Sequence, residues 1–154
     1  MRFMIIVKAT QDSEAGVLPS AQMLREMGAY NEGLAKAGQM IAGEGLHPSS
    51  KGARVRFAGD KRSVIDGPFS ETKELIAGFW ILEAKSLQDA IEIIKRAPNP
   101  HGETSVIEIR QVYEAEGFGP ELNAAVPEVF EGERKARARQ DAQRAQQQTE
   151  AAKR

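Results

Sequence analysis

The 154-residue sequence contains no cysteine, one tryptophan, two histidines and no long apolar run. Without thiols the chain cannot form a disulfide framework, use a thiolate nucleophile or bind a metal through sulfur. The absence of cysteine also suits a reducing compartment, and we expect a cytoplasmic protein. The apolar stretch at residues 3–7 is too short for a signal-peptide core or a membrane span. We therefore expect no membrane association.

A strong charge of either sign is also missing, because the formal net charge is −1. The chain therefore has no global field that would draw it onto nucleic acid or an anionic membrane. Arg54, Arg56, Lys61 and Arg62 form one local basic group. No aromatic-rich motif that could stack bases accompanies them. We predict that the protein does not bind nucleic acid.

The remaining pattern predicts one domain over residues 1–115, followed by a linker and a polar tail over residues 116–154. Strands are predicted at residues 2–9, 39–46, 54–57, 63–65, 75–84 and 106–113. Two amphipathic helices begin near Ser20 and Ser86. Their predicted apolar faces consist of Met23, Met27, Tyr30 and Leu34 in the first helix, and Leu87, Ala90, Ile91 and Ile94 in the second.

This order is β-α-β, a hairpin, and β-α-β again, which predicts an α+β fold of the ferredoxin-like type with both helices on one face. The strands at 2–9 and 75–84 are apolar at consecutive positions, so both of their faces require burial. The tail beyond about residue 131 has almost no large apolar side chain and is either a solvated helix or disordered. A second copy of the sheet is the simpler cover, and we predict a homodimer.

Several motifs then resemble the DGPF subgroup of the YCII-related family over residues 2–113. These motifs are Gly43-Glu44-Gly45-Leu46-His47-Pro48-Ser49, Asp66-Gly67-Pro68-Phe69-Ser70-Glu71-Thr72-Lys73-Glu74, Gly78-Phe79, His101-Gly102 and Ile107-Glu108-Ile109-Arg110. The resemblance implies a dimeric α+β barrel, in which two ferredoxin-like sheets pack face to face. It also implies acid–base chemistry on a small organic molecule.

His47 is the first candidate catalytic residue, because imidazole has an unperturbed pKa near neutrality. It follows a predicted strand, and Pro48 favours an extended backbone before it. The alternative is a surface histidine bonded to a nearby carbonyl, and the motif resemblance favours the functional role. Asp66 is predicted to orient the imidazole. It could equally, or in addition, accept backbone N–H bonds in an Asx turn.

The residues predicted to contact a substrate are Glu44, Ser49, Phe69, Trp80 and His101. Glu44 lies in the same segment as His47, and a second carboxylate would suit proton transfer. Phe69 and Trp80 could line a small pocket, although aromatic residues beside apolar strands are often plain core. Glu71 and Lys73 are weaker candidates that more simply form exposed ion pairs.

No cofactor or metal is predicted. The two histidines are not spaced as a metal-binding i,i+4 pair, and the glycine-rich stretch at residues 43–48 lacks the ending of a phosphate loop. No Ser-His-Asp signature is present. The leading hypothesis is a cofactor-independent lyase or isomerase that uses His47 and Asp66. The alternative is a non-catalytic module that binds a small molecule or a regulatory partner.

Overall fold

The computed structural model of the chain describes residues 1–70, 74–101 and 104–151. These residues form two compact units, Met1–Val112 and Tyr113–Arg154. The predicted α+β class is confirmed, and both sheets of the first unit are antiparallel.

The elements of the first unit follow the predicted order along the chain, and the described residues add the short helix α1 and a 3-10 turn at Ser49–Lys51. They are β1 (Arg2–Lys8), α1 (Gln11–Glu14), α2 (Ala21–Lys36), β2 (Met40–Gly45), β3 (Ala53–Ala58), β4 (Lys61–Asp66), β5 (Ile76–Glu83), α3 (Leu87–Ile94) and β6 (Ile107–Gln111). Four strands form a sheet in the order β2-β5-β1-β6, and β3 pairs with β4 in a separate hairpin. Every residue of the hairpin strands is exposed.

Helices α2 and α3 begin where the sequence predicts. Ser20 caps α2 by accepting a hydrogen bond from the Met23 N–H at 3.1 Å, and Ser86 caps α3 in the same way. Gly38 follows α2 with a φ of 70°, a left-handed conformation that glycine adopts without steric cost. Local capping chemistry therefore sets these boundaries.

Both helices pack on one face of the four-stranded sheet. Phe3 and Ile5 of β1 are fully buried, and the antiparallel register places them opposite Leu82 and Trp80 of β5. The Tyr30 hydroxyl of α2 donates a hydrogen bond to the Ile93 carbonyl of α3 at 2.9 Å. Burial, opposed in part by Arg96, raises the pKa of Tyr30, so the phenol stays protonated as a donor.

The buried face of α3 differs from the prediction. Ala90 is buried as expected, but Ile93 is the second core residue, and Leu87 is 50% exposed. Ile91, Ile93 and Ile94 offer two overlapping apolar stripes on this short helix. Periodicity alone therefore does not determine which stripe contacts the sheet.

The second face of the sheet carries Met4, Ile6, Phe79 and Ile81, all half-buried. Cross-strand pairing joins Met4 to Ile81 and Ile6 to Phe79. Because side chains alternate along a strand, these residues point away from the helices. Helices α2 and α3 pack on the other face and leave this one uncovered.

The second unit consists of a 3-10 turn (Ala115–Phe118), α4 (Pro120–Ala125) and α5 (Pro127–Ala151). Phe118 lies between Tyr113 and Phe130, with ring centroids 5.1 and 5.4 Å away. Arg137 of α5 forms an ion pair with Glu114 at 3.2 Å. Among the helices that the structure describes, none is both long and apolar enough to cross a bilayer.

We predict that deletion of residues 131–154 lowers the melting temperature by at most about 4 °C, since the segment has no large apolar side chain and the Arg137–Glu114 ion pair that joins it to the preceding residues is partly exposed. Thermal unfolding at fixed protein concentration measures this. Arg137→Ala is the matched control and should account for most of any change. A much larger drop after deletion would mean that α5 contributes substantially to the packing of the protein.

Candidate functional site

An open cavity of about 1040 Å³ lies in the first unit. The connection from α1 to α2, the end of β2, the start of β5 and the loop before β6 surround it. Met23 and Met27 form part of an apolar wall with Trp80. His47 and His101 both border the cavity. The chain has two histidines in total, so this cavity gathers every imidazole that the sequence provides.

His101 is held by a backbone contact. Its Nε2 atom lies 2.9 Å from the carbonyl oxygen of Lys8, at the end of β1. A carbonyl oxygen can only accept, so Nε2 carries the hydrogen and neutral His101 has its lone pair on Nδ1. The loop itself is shaped by Asn99, whose side-chain oxygen accepts bonds from the His101 N–H and the Ser105 hydroxyl.

His47 is exposed and borders the same cavity. Within residues 1–70, 74–101 and 104–151, its imidazole forms no hydrogen bond or ion pair. The prediction that the strand ends before His47 agrees with the end of β2 at Gly45. The side chain is therefore free to bind a ligand.

Trp80 forms a fixed apolar wall of the cavity. The indole is 6% exposed, and its Nε1–H donates to the Asn31 side-chain oxygen at 2.9 Å. Tyr30 contacts the indole edge-on with ring centroids 6.4 Å apart. A Cβ on Gly43 would lie 2.6 Å from the Trp80 Cδ1 atom, so the missing side chain lets the indole pack over β2. Trp80 thus serves both the core and the cavity.

Glu44 also borders the cavity, as the sequence predicts for a substrate-contacting residue. It lies in the edge strand β2, opposite Phe79 of β5. Its side chain is exposed, and the described part of the chain supplies it with no hydrogen-bond partner. Two carboxylates, those of Asp12 and Glu44, and two imidazoles therefore border this cavity.

Ser49 and Phe69, two predicted substrate contacts, do not line the cavity. The Ser49 hydroxyl donates to the Glu14 carboxylate and accepts from the Phe69 N–H at 3.0 Å. The Phe69 ring lies under the Arg54 guanidinium, which is 3.9 Å from the ring centroid. The structure thus gives both residues contacts with protein groups.

Asp66 lies outside the cavity, exposed at the end of β4 and opposite Ala53. Across the described residues, no hydrogen bond or ion pair joins Asp66 to His47. The orienting role of Asp66 therefore stays a prediction. The Asp-Gly-Pro-Phe stretch packs against the backbone of Ser49. The approach is so close that a Cβ on Gly67 would lie 1.7 Å from the Ser49 carbonyl oxygen.

Glu71, Lys73 and the Gly102 of the His101-Gly102 motif lie outside the described residues. In the described ranges, no group of three or more histidine, aspartate or glutamate side chains could hold a metal ion.

Sequence reasoning missed two residues that shape the site. Glu14 lies in the short helix α1, where no helix was predicted. The signal for α1 was Thr10 with Ser13, which form a reciprocal capping box. Asn31, the partner of the indole, had no signal, because a single amide on a helix does not reveal what it faces.

The fold and the cavity define a small antiparallel α+β domain with an open pocket on its helix-covered side. The model of the YCII-related domain family matches residues 1–116. The chain therefore belongs to the YCII-related domain family, and the resemblance seen in its motifs is confirmed.

Two further similarities accompany the family match. An uncharacterized protein of Rhizobium meliloti is 29% identical over 89 residues, which cover 58% of this chain and 72% of the relative. A solved structure, the 5-chloro-2-hydroxyhydroquinone dehydrochlorinase of Burkholderia phenoliruptrix in complex with 2,5-dihydroxybenzoquinone, is similar at 16% identity and a TM-score of 0.44. That comparison covers 74% of this chain and 95% of the dehydrochlorinase.

We predict that Gly43→Ala destabilises the domain by about 1–3 kcal/mol, because the new Cβ would displace the Trp80 indole from the wall. The single tryptophan makes intrinsic fluorescence a specific probe of this displacement. Gly45→Ala is the matched control, since a Cβ at Gly45 meets nothing within 4 Å. If the two variants lowered the stability equally, Gly43 would not be the residue that makes room for the Trp80 indole.

Proposed function

We propose that this protein is a cofactor-independent acid–base enzyme, of the lyase or isomerase type, that acts on a small organic molecule. The observation that carries the proposal is that both histidines of the chain border one open cavity with a Trp80 wall. Imidazole is the side chain best suited to proton transfer near neutral pH. Membership of the YCII-related domain family is consistent with this function.

His101 is the proposed general base. Its Nε2–H donates to the Lys8 carbonyl, so neutral His101 presents Nδ1 as a base of fixed tautomer. In the proposed reaction, Nδ1 removes a proton from a carbon beside a carbonyl. His47 donates a proton to the carbonyl oxygen, and an enol results. Return of a proton elsewhere gives isomerisation, and loss of an adjacent leaving group gives elimination.

The apolar part of the cavity supports this chemistry. Trp80, Met23 and Met27 offer a surface on which a small apolar ring or chain can pack. Charges that develop next to such a wall are less screened than in bulk water. Glu44 at the rim is a second carboxylate that can exchange protons with solvent or with His47.

The test is deuterium incorporation, followed by NMR, into a panel of cyclic and acyclic ketones incubated with the protein in D2O. We expect exchange at the carbon beside the carbonyl, with a rate that falls by about 10²–10⁴-fold in His47→Gln and in His101→Gln. Release of a leaving group from the β-substituted members of the panel distinguishes a lyase from an isomerase.

Two results would contradict the proposal. Exchange that persists in the folded His47→Gln, His101→Gln double variant would assign the chemistry to other groups. Ketones that perturb the histidine resonances without any exchange would favour the alternative, a non-catalytic binding module.

Asp66→Asn tests the remaining orienting role. Because no bond joins Asp66 to His47 within the described residues, we expect the NMR titration of His47 to stay unchanged. A shifted titration would show that the two groups couple and would restore Asp66 to the site.

We further propose that the chain assembles as a homodimeric α+β barrel of ferredoxin-like subunits. The sheet order β2-β5-β1-β6, with two helices on one face, supports a ferredoxin-like subunit. The uncovered face with Met4, Ile6, Phe79 and Ile81 supports burial against a second sheet. A stable interface of this kind buries at least about 1,200 Å² in total.

We predict that light scattering at micromolar concentration gives twice the chain mass of 16.9 kDa. Ile81→Glu should yield monomers, because it places a charge at the centre of the proposed interface. Leu24→Glu is the matched control on α2, where Leu24 is 59% exposed, and it should remain dimeric. A monomeric parent protein would overturn the assembly.

A further inference from the structure

We propose that Glu14 and Ser49 are positioning residues that hold the backbone of His47 at the cavity. This inference rests on the proposed acid–base function for its catalytic consequence, while its structural part can be tested separately. The argument concerns the turn of residues 46–52, here called the His47 loop. The sequence marked Ser49 as a substrate contact, and the hydrogen bonds assign it a different role.

The backbone N–H and the hydroxyl of Ser49 both form hydrogen bonds with other protein groups. Its backbone N–H lies 3.2 and 3.1 Å from the two carboxylate oxygens of Glu14. Its hydroxyl proton goes to the same carboxylate, and its hydroxyl oxygen accepts from the Phe69 N–H. Because a hydroxyl has one proton, none remains for a substrate. Hydrogen bonds to a charged carboxylate are also stronger than bonds between neutral groups.

Hydrogen bonds hold the backbone before and after His47. The Leu46 N–H donates to the Ala77 carbonyl of β5 at 2.8 Å, one residue before the histidine. The Glu14–Ser49 contact follows two residues after it. Pro48 lies between, and its ring restricts the backbone there. The backbone position of His47 is therefore fixed, and only its side-chain torsions remain free.

Glu14 is in turn fixed to the cavity wall. The Thr10 hydroxyl accepts from the Ser13 N–H at 3.1 Å, and the Ser13 hydroxyl accepts from the Thr10 N–H at 2.8 Å. Thr10 and Ser13 both line the cavity. This capped turn begins two residues after Lys8, whose carbonyl holds His101. Residues 8–14 thus set the positions of both histidines, one through a backbone carbonyl and one through the Glu14 carboxylate.

The test compares Ser49→Ala and Glu14→Gln with Ser50→Ala, in the full-length protein. Ser50 is the adjacent exposed serine, and no side-chain hydrogen bond involves it within the described residues. We expect amide hydrogen exchange in the His47 loop to accelerate by about tenfold in Ser49→Ala, which corresponds to the loss of a charged hydrogen bond. Glu14→Gln keeps an acceptor oxygen and should show a smaller acceleration. Ser50→Ala should stay within about twofold of the parent.

The catalytic consequence has its own readout. With the most active ketone of the panel, or the substrate once known, we expect kcat to fall by about tenfold in Ser49→Ala, with KM changed less than kcat. The Ser49→Ala, Glu14→Gln double variant should lose less than the sum of the two single losses, because the bond between the Ser49 hydroxyl and the Glu14 carboxylate is common to both changes. Additive losses would mean that the residues act separately and would overturn the pairing.

The outcomes separate this inference from the proposed function. Unchanged amide exchange in the folded Ser49→Ala variant would overturn the positioning role, even if His47→Gln abolishes turnover. Faster exchange in Ser49→Ala, together with full turnover in His47→Gln, would support the structural role of Glu14 and Ser49 and overturn the assignment of His47.

Discussion

The site depends on the segment of residues 8–14, which runs from the last residue of the central strand β1 to the end of helix α1. Its first residue, Lys8, is bound through its carbonyl to His101 and through its ammonium to Glu108 at 2.8 Å. The hydrogen bond with Lys8 lowers the pKa of Glu108, which keeps that carboxylate charged. Its last residue, Glu14, binds the His47 loop. β1 is a buried central strand of the sheet. The segment that holds both histidines is therefore attached directly to the rigid core.

The sheet imposes a second constraint, because its two faces meet different environments. On one face, Ile5 and Trp80 pack under the helices, and the register that pairs them also brings the indole to the cavity. On the other face, Ile6 and Phe79 form a pair of half-buried apolar side chains. Phe79 and its neighbour Glu44 border the cavity as well. The cavity therefore extends around the β2 edge, and any cover of the second face would lie next to the cavity.

Much of the fold could be predicted from local sequence signals. Ser20 and Gly38 mark the ends of α2, and Gly59 with Asp60 marks the hairpin turn, because caps and tight turns depend on residue type alone. The site was predictable in part, since His47, Glu44, Trp80 and His101 do border one cavity. The hydrogen bond from His101 to Lys8 joins residues 93 positions apart, and no local pattern encodes such a partner. The Ser49–Glu14 contact is nonlocal in the same way.

Two of the motif stretches that carry the family resemblance, residues 43–49 and 66–74, are packed against each other through Ser49 and Gly67. A Cβ on Gly67 would lie 1.7 Å from the Ser49 carbonyl oxygen, so only glycine allows the two stretches to meet. The Gly67 N–H then donates to the Gly52 carbonyl at 3.0 Å, and the Phe69 N–H donates to the Ser49 hydroxyl. The Asp-Gly-Pro-Phe turn thus supports the His47 loop through its backbone. A sequence motif of this kind specifies a close backbone approach, and its aspartate need not touch the imidazole for the motif to serve the site.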